Sequence, residues 1–313
     1  MYSRYKSKRS YSKFFKVFFI VMSVVLIIAG INKYKGVLMF WKYNTSRIVR
    51  TLDSIESIKD NKARLDEYSA LLEKTEAYCL NNPADKEGFI LYAKVLHSFG
   101  DNLSGKNFEE ILINGDYGNI NPDALKNYSE AIKYINKSRA LSSKETLNDE
   151  EKIMLAMLYF YTGYYDSKDI SALVNEISEP ENLMTIKEKR FFAMVKVQQG
   201  KVDEGIDFLN KYGKIKSVND KLFVGGIYIL SKQYTNAIML YKGLLETVND
   251  NLLADIINYN LGYIYYNQLL YNEAIAKFEP LYANSIKAEK IKPMLLDCYN
   301  KTGNTEKFDL LSK

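Results

Sequence analysis

Apolar residues recur every three or four positions along much of this chain, which is the spacing of one face of an α-helix. The first clear stripe is Ile48, Leu52, Ile55 and Ile58. Asn44-Thr45-Ser46 can cap its start, and Lys59-Asp60-Asn61 supplies a turn before the next stripe. That second stripe runs from Leu65 to Cys79 and ends at Asn81-Asn82-Pro83. The sequence therefore predicts an all-α protein built of short helices.

Two stretches near the C-terminal end match each other at fixed offsets. Each begins with a large apolar residue and Gly, and each continues with two aromatic residues, an Ala and a third aromatic residue. The matched positions are Val224-Gly225, Tyr228, Tyr234, Ala237 and Tyr241, and then Leu261-Gly262, Tyr265, Tyr271, Ala274 and Phe278, 37 residues further on. Small residues let two helices touch, and aromatic residues fill the space around that contact. The pattern therefore predicts a hairpin of two short helices.

The same pattern extends in both directions along the chain. In each unit we call the position equivalent to the matched Ala the pivot. The pivots are Lys168, Gly205, Ala237, Ala274 and Phe308, at spacings of 37, 32, 37 and 34 residues. Self-similarity at this period is typical of solenoids, in which stacked units bury one another's apolar faces. The pattern resembles the tetratricopeptide repeat (TPR), a helix–turn–helix unit of about 34 residues. The resemblance covers residues 150–313 well and 62–141 loosely, and it implies a TPR-like α-solenoid over residues 61–313.

The stretch from Asp101 to Asn121 interrupts this pattern between helices predicted near Ala84–Phe99 and Pro122–Leu141. It is rich in Gly and Asn, which favour turns. Four acidic residues occur in or beside it: Glu109, Glu110, Asp116 and Asp123. A pair of carboxylates can hydrolyse glycosides, so a carboxylate-dependent hydrolase is one alternative. No partner group for such chemistry is evident in the sequence, and we therefore predict no catalytic residue, no metal site and no cofactor.

The N-terminal end carries a second signal, an apolar run from Phe14 to Ile31 with basic residues on both sides. Eighteen residues are about enough to cross the hydrocarbon core of a bilayer. The sequence predicts a basic cytoplasmic tail over residues 1–16, a transmembrane anchor over 17–35, and a membrane-proximal helix or stalk over 36–60. A cleavable secretory signal is the alternative, although its apolar region would be long and no small residue stands three positions before a cleavage site near Ala29.

Charge is distributed unevenly along the chain. Residues 1–50 contain eleven Lys and Arg and no Asp or Glu, so the remainder carries 32 basic and 38 acidic side chains. The mildly acidic remainder argues against nucleic acid as a partner. Six basic residues precede the apolar run and five follow it, and the positive-inside rule then places the short tail in the cytoplasm. The repeats are expected to face the exterior or periplasm; the reverse topology would make a cytoplasm-facing adaptor that regulates an inner-membrane enzyme.

Cysteine and histidine usage limits the chemistry further. Cys79 and Cys298 are far apart in a solenoid, and each is expected to be a buried small residue. The single histidine, His97, is expected on a helix surface or packed against its neighbours, since no nucleophile motif accompanies it.

The resemblance implies a groove, lined by the first helix of each repeat, that holds an extended peptide or a partner helix. The predicted groove residues are Met157, Phe160, Tyr161, Lys187, Arg190, Met194, Tyr259, Tyr263, Tyr266 and Asn267. The aromatic members could equally pack between neighbouring repeats. The sequence therefore predicts a non-catalytic, membrane-anchored TPR scaffold or adaptor for protein–protein interactions in the cell envelope, with protein or peptide segments as its partners.

Overall fold

The computed structural model of the protein describes residues 44–105, 107–115, 120–141, 147–163, 168–283 and 287–312. Within these ranges the regular structure is helical throughout, with no strand, so the predicted all-α class is confirmed there. The predicted tail, the anchor over 17–35 and the first part of the stalk lie outside the described residues. No helix in the described ranges combines the length and apolar character needed to cross a bilayer.

The helices are short and follow one another closely. They are α1 Thr45–Glu56, α2 Asn61–Asn81, α3 Lys86–Ser104, α4 Phe108–Asn114, α5 Pro122–Ala140, α6 Asp149–Tyr161, α7 Lys168–Asn175, α8 Ile186–Gln198, α9 Val202–Tyr212, α10 Val218–Leu230, α11 Tyr234–Leu245, α12 Asn251–Asn267, α13 Tyr271–Tyr282, α14 Ala288–Thr302 and α15 Thr305–Ser312. A 3₁₀ turn, Pro180–Asn182, precedes α8. Most consecutive helices pack against each other. The exceptions are α9 with α10, and α4, which stands in sequence between α3 and α5 while those two helices pack on each other.

Side chains just before the helices explain many of the starting points. Asn44 accepts a hydrogen bond from the Arg47 N–H at 3.0 Å, and Asp60 accepts one from the Ala63 N–H at 2.7 Å. Both groups satisfy backbone donors that a helix start leaves free. Before α8, Thr185 and Glu188 form a reciprocal capping box. The first two boundaries confirm the starts predicted from the sequence.

The turn inside each C-terminal hairpin repeats with the period found in the sequence. One residue in each turn has a positive φ: Gly163 (100°), Gly200 (82°), Lys232 (59°), Leu269 (62°) and Gly303 (71°). These residues join α6 to α7, α8 to α9, α10 to α11, α12 to α13 and α14 to α15. Their spacings of 37, 32, 37 and 34 residues equal those of the pivots, each of which lies five residues later. The repeat found in the sequence therefore coincides with a positive-φ turn that recurs at the same spacing.

A glycine on the first helix of a hairpin meets an aromatic ring on the second. A Cβ added to Gly225 would lie 2.5 Å from the ring of Tyr241, and one added to Gly262 would lie 2.6 Å from that of Phe278. The same contact joins α3 to α5, where a Cβ on Gly100 would lie 2.6 Å from the Tyr128 ring. Any larger residue would separate these helices, so the small residues set the hairpin spacing.

Two local predictions were wrong. A proline inside a helical pattern predicts that the helix ends at the preceding residue, here Glu279, but α13 continues past Pro280 to Tyr282. Pro280 lacks the N–H that would bond the carbonyl of Ala276, so it costs one helical hydrogen bond, and only two residues of α13 follow it. The stretch from 101 to 121 was expected to be irregular, yet α3 extends to Ser104 and α4 forms within it.

Candidate functional site

The helix α4 lies against the first helices of several hairpins rather than in a surface loop. It packs on α10 and α12, and its first residue also contacts α6 and α8. We call the surface of α6, α8, α10 and α12 that faces α4 the channel. Three α4 side chains, Phe108, Ile111 and Leu112, are at most 1% exposed, and they belong to the apolar cluster that extends from α2 to α10.

The first residue of α4 is enclosed by aromatic rings. Phe108 meets Phe160, Phe191 and Phe223 edge-on, at centroid distances of 6.4, 5.4 and 5.7 Å. Edge-to-face geometry of this kind is favourable beyond the burial of apolar area. The Phe108 N–H donates to the hydroxyl oxygen of Tyr161 at 3.2 Å, so the channel also satisfies a backbone donor at this helix start.

A charged cluster holds the next residue of α4. Arg190 Nη1 donates to Glu109 at 2.6 Å, and Arg190 Nη2 donates to Asp220 at 2.6 Å. The same guanidinium also donates to the carbonyl of Gly213 at 2.7 Å. Burial raises the pKa of Glu109 despite the opposing charge of Arg190. Burial also acts to raise the pKa of Asp220, but hydrogen bonds from Ser217, Lys216 and Arg190 hold it at about 2.

Polar side chains from the C-terminal hairpins receive the other end of α4. The buried Asn260 donates from Nδ2 to the Ile113 carbonyl at 2.9 Å, and Lys287 Nζ donates to the Asn114 carbonyl at 2.9 Å. The last carbonyls of a helix have no intrahelical partner and carry partial negative charge, which a lysine complements. The channel thus holds a short peptide helix by its backbone ends, one acidic side chain and one aromatic side chain.

The predicted groove residues fall into three groups. Met157, Phe160, Tyr161, Arg190, Met194 and Tyr259 are buried. Of these, Phe160, Tyr161 and Arg190 contact α4, and Tyr259 approaches Gly115 directly after it. Lys187 is partly exposed and pairs with Asp101, while Tyr263, Tyr266 and Asn267 lie further along α12. Partner binding by these residues stays a prediction, and in this structure α4 of the same chain covers Phe160, Tyr161 and Arg190.

Beyond α4, the described residues enclose a cavity of about 480 Å³ between α1, α3, α6 and α8, which we call the α1 cavity. Its apolar lining includes Leu52, Met154, Met157 and Met184. Two of the predicted groove residues, Met157 and Lys187, line it. The volume lies in the usual range for binding pockets, about 300–1,000 Å³.

A polar network forms the inner end of the α1 cavity. Asp101 pairs with Lys187, accepts a hydrogen bond from the Tyr128 hydroxyl at 2.9 Å, and lies 3.7 Å from His97 Nε2. Burial opposes ionisation of Asp101, but His97, Lys187 and Tyr128 together lower its pKa. Burial, assisted by Lys187, lowers the pKa of His97 to about 4 despite Asp101. The imidazole is therefore neutral near pH 7, and its buried Nε2 has no hydrogen-bond partner within the described structure.

A larger cavity of about 790 Å³ lies elsewhere, between α9, α10 and α11. Its charged residues Asp203, Asp207 and Lys221 are exposed to solvent, and its walls are formed largely by second helices of neighbouring hairpins. The α1 cavity is smaller, but it combines an apolar lining with convergent, partly buried polar groups. That combination is the better indicator of a binding site.

The acidic residues considered for hydrolysis are dispersed. Glu109 is held by Arg190, Glu110 is exposed, and Asp123 is an exposed residue in the first turn of α5. Asp116 lies outside the described residues. Among the residues that the structure describes, no three His, Cys, Asp or Glu side chains are grouped to hold a metal ion. Both Cys79 and Cys298 are buried, as the sequence predicted.

No protein-family model and no curated protein sequence matches this chain.

Proposed function

We propose that this protein is a non-catalytic scaffold that binds a segment of another protein at the α1 cavity, beside the channel that holds α4. The observation that carries this proposal is the way α4 is held. Aromatic rings enclose Phe108, Arg190 pairs with Glu109, and Asn260 and Lys287 bind the terminal carbonyls. Enclosed aromatic anchors and side-chain contacts to backbone groups are common features of peptide recognition.

The repeated hairpins support the same proposal at the level of architecture. Positive-φ turns at the pivot spacing favour a TPR-like α-solenoid, in which each unit contacts its neighbours and successive first helices form a continuous surface. Solenoids use such surfaces to bind protein segments. Since α4 covers the channel beside α8 and α10, we assign the partner segment to the α1 cavity.

We include the membrane anchor in the proposal, with the helical repeats outside the cytoplasm. The apolar run from Phe14 to Ile31 and the basic residues on both sides of it support this placement. Topology reporters fused after residue 313 test the orientation. A reporter active only outside the cytoplasm is the expected result, and activity of a cytoplasm-restricted reporter alone would replace this topology with the reverse one.

Site-specific photo-crosslinking in intact cells tests the binding function. Met184 lines the α1 cavity and is 76% exposed, and Met239 lines the larger cavity and is 70% exposed. These positions therefore form a matched pair for a photoreactive amino acid. We expect a discrete crosslinked partner from position 184 and none from position 239. A partner captured only from position 239 would move the site to the larger cavity, and capture from neither would reject the scaffold function.

A further inference from the structure

The lining of the α1 cavity has an excess of negative charge. Five carboxylates, from Asp53, Glu56, Asp101, Glu150 and Glu188, face two lysine ammonium groups. Both lysines are already paired, because Lys94 Nζ lies 2.6 Å from Glu150 and Lys187 binds Asp101.

The other three carboxylates have no ion pair with a described residue. Asp53 and Glu56 are exposed on α1 at one side of the cavity. Glu188 is partly buried on α8, where its carboxylate accepts a hydrogen bond from the Thr185 N–H at 2.9 Å. Burial raises the pKa of Glu188 and the nearby Glu150 acts in the same direction, although the Thr185 hydrogen bonds and Lys94 oppose them. A cation from outside the chain would compensate this charge.

The apolar part of the lining is adaptable. Met154 and Met157 lie at the base, and Met184 stands at the edge with 76% of its surface exposed. Methionine side chains are flexible and polarisable, so they can fit different apolar groups. Leu52 and Val49 complete an apolar wall on α1. The cavity thus offers space for an apolar side chain directly beside uncompensated carboxylates.

We propose that the α1 cavity binds a partner-protein segment in which an apolar side chain enters between the methionines and a neighbouring lysine or arginine pairs with Asp53, Glu56 or Glu188. This inference rests on the proposed scaffold function and specifies its partner. Complementary charge fixes the register and speeds the encounter, while the buried apolar group supplies most of the affinity. An acidic peptide, in contrast, would face three unpaired carboxylates.

The test combines charge removal with identification of the crosslinked segment. The full-length protein carries the photoreactive amino acid at position 184, with or without Asp53→Asn, Glu56→Gln and Glu188→Gln. Gln at 188 retains an acceptor for the capping box. We expect the triple variant to lower the crosslinked yield at least tenfold. The segment captured by the wild type should contain a lysine or arginine within about one helical turn of the crosslinked residue.

A matched control removes three exposed carboxylates away from the α1 cavity: Asp203→Asn, Asp207→Asn and Glu246→Gln. This control should leave the yield unchanged. Should the first triple variant fail to fold, Asp53→Asn with Glu56→Gln changes only exposed positions of α1 and should still reduce the yield.

The outcomes separate this inference from the scaffold function. A partner captured from position 184 with equal yield in both triple variants, or through a segment without a basic residue, overturns the inference and leaves the scaffold function standing. A crosslink to the protein's own residues 1–43 also overturns it, because the occupant would then be internal. Absence of any partner rejects both.

Discussion

Gly226→Ala is the most direct test of where α4 lies. A Cβ at Gly226 would stand 2.6 Å from the carbonyl oxygen of Leu112, which is backbone of α4. An ordinary distance between a Cβ and a carbonyl oxygen is longer by roughly 1 Å, so α4 or α10 would have to move by most of that amount. Overpacking of this kind costs typically about 1–3 kcal/mol. Without the overlap, Ala inside a helix would stabilise the protein by about 0.5–1 kcal/mol relative to Gly.

Gly243→Ala supplies the matched control, since Gly243 is also inside a helix and a Cβ there would have no atom within 4 Å. Urea denaturation followed by circular dichroism gives the free energy of unfolding for both variants. Gly226→Ala should be less stable than Gly243→Ala by about 2–4 kcal/mol. Equal stability of the two variants would show that the backbone of α4 does not lie against α10.

Two further predictions concern a buried histidine and a strained turn. Unfolded His97 takes up a proton near pH 6.5, whereas folded His97 does so only near pH 4, so the stability it contributes is complete above pH 6.5 and falls as the pH drops towards 4. His97→Phe should remove up to about 3 kcal/mol of this acid sensitivity, measured by denaturation between pH 7 and 4; an unchanged pH profile would contradict the assignment. Leu269, which is 69% exposed, has a φ of 62°. Leu269→Gly should raise the free energy of unfolding by up to about 1 kcal/mol, because glycine accepts this conformation without steric strain. A loss of stability would show that the Leu269 side chain contributes more than the strained turn costs.

Much of the fold was predictable because the hairpins depend on local, repeated side-chain sizes. The Gly225–Tyr241 and Gly262–Phe278 contacts are visible in the sequence as two residue types at a constant offset. Three of the five hairpin turns also carry a glycine that marks the positive φ. The other two use Lys232 and Leu269, which have no intrinsic preference for that conformation and adopt it because the packed helices on each side impose it.

The candidate site was less predictable, because its main feature depends on contacts between distant parts of the chain. The α4 segment does carry local helix signals: Asn107 as a cap, apolar residues at Phe108, Ile111 and Leu112, and Gly115 at its end. With only seven residues, its apolar stripe was too short to predict a helix among the surrounding Gly and Asn, which favour turns. No local pattern could show that α4 would occupy the channel, since Asn260 follows Ile113 by 147 positions.

The free energy gained by burying α4 indicates that a partner binds beside α4 rather than replacing it. Burial of Phe108, Ile111 and Leu112 stabilises the folded state by about 1.5–3 kcal/mol for each side chain, or roughly 5–9 kcal/mol together. The whole free energy of unfolding of a typical domain is only about 5–15 kcal/mol. A partner that displaced α4 would first have to offset most of the stabilisation lost when these three side chains leave the channel. That loss is comparable to the whole binding free energy of a micromolar complex, about 8 kcal/mol. The α1 cavity requires no such displacement, and for this reason the proposed partner contact is assigned to it.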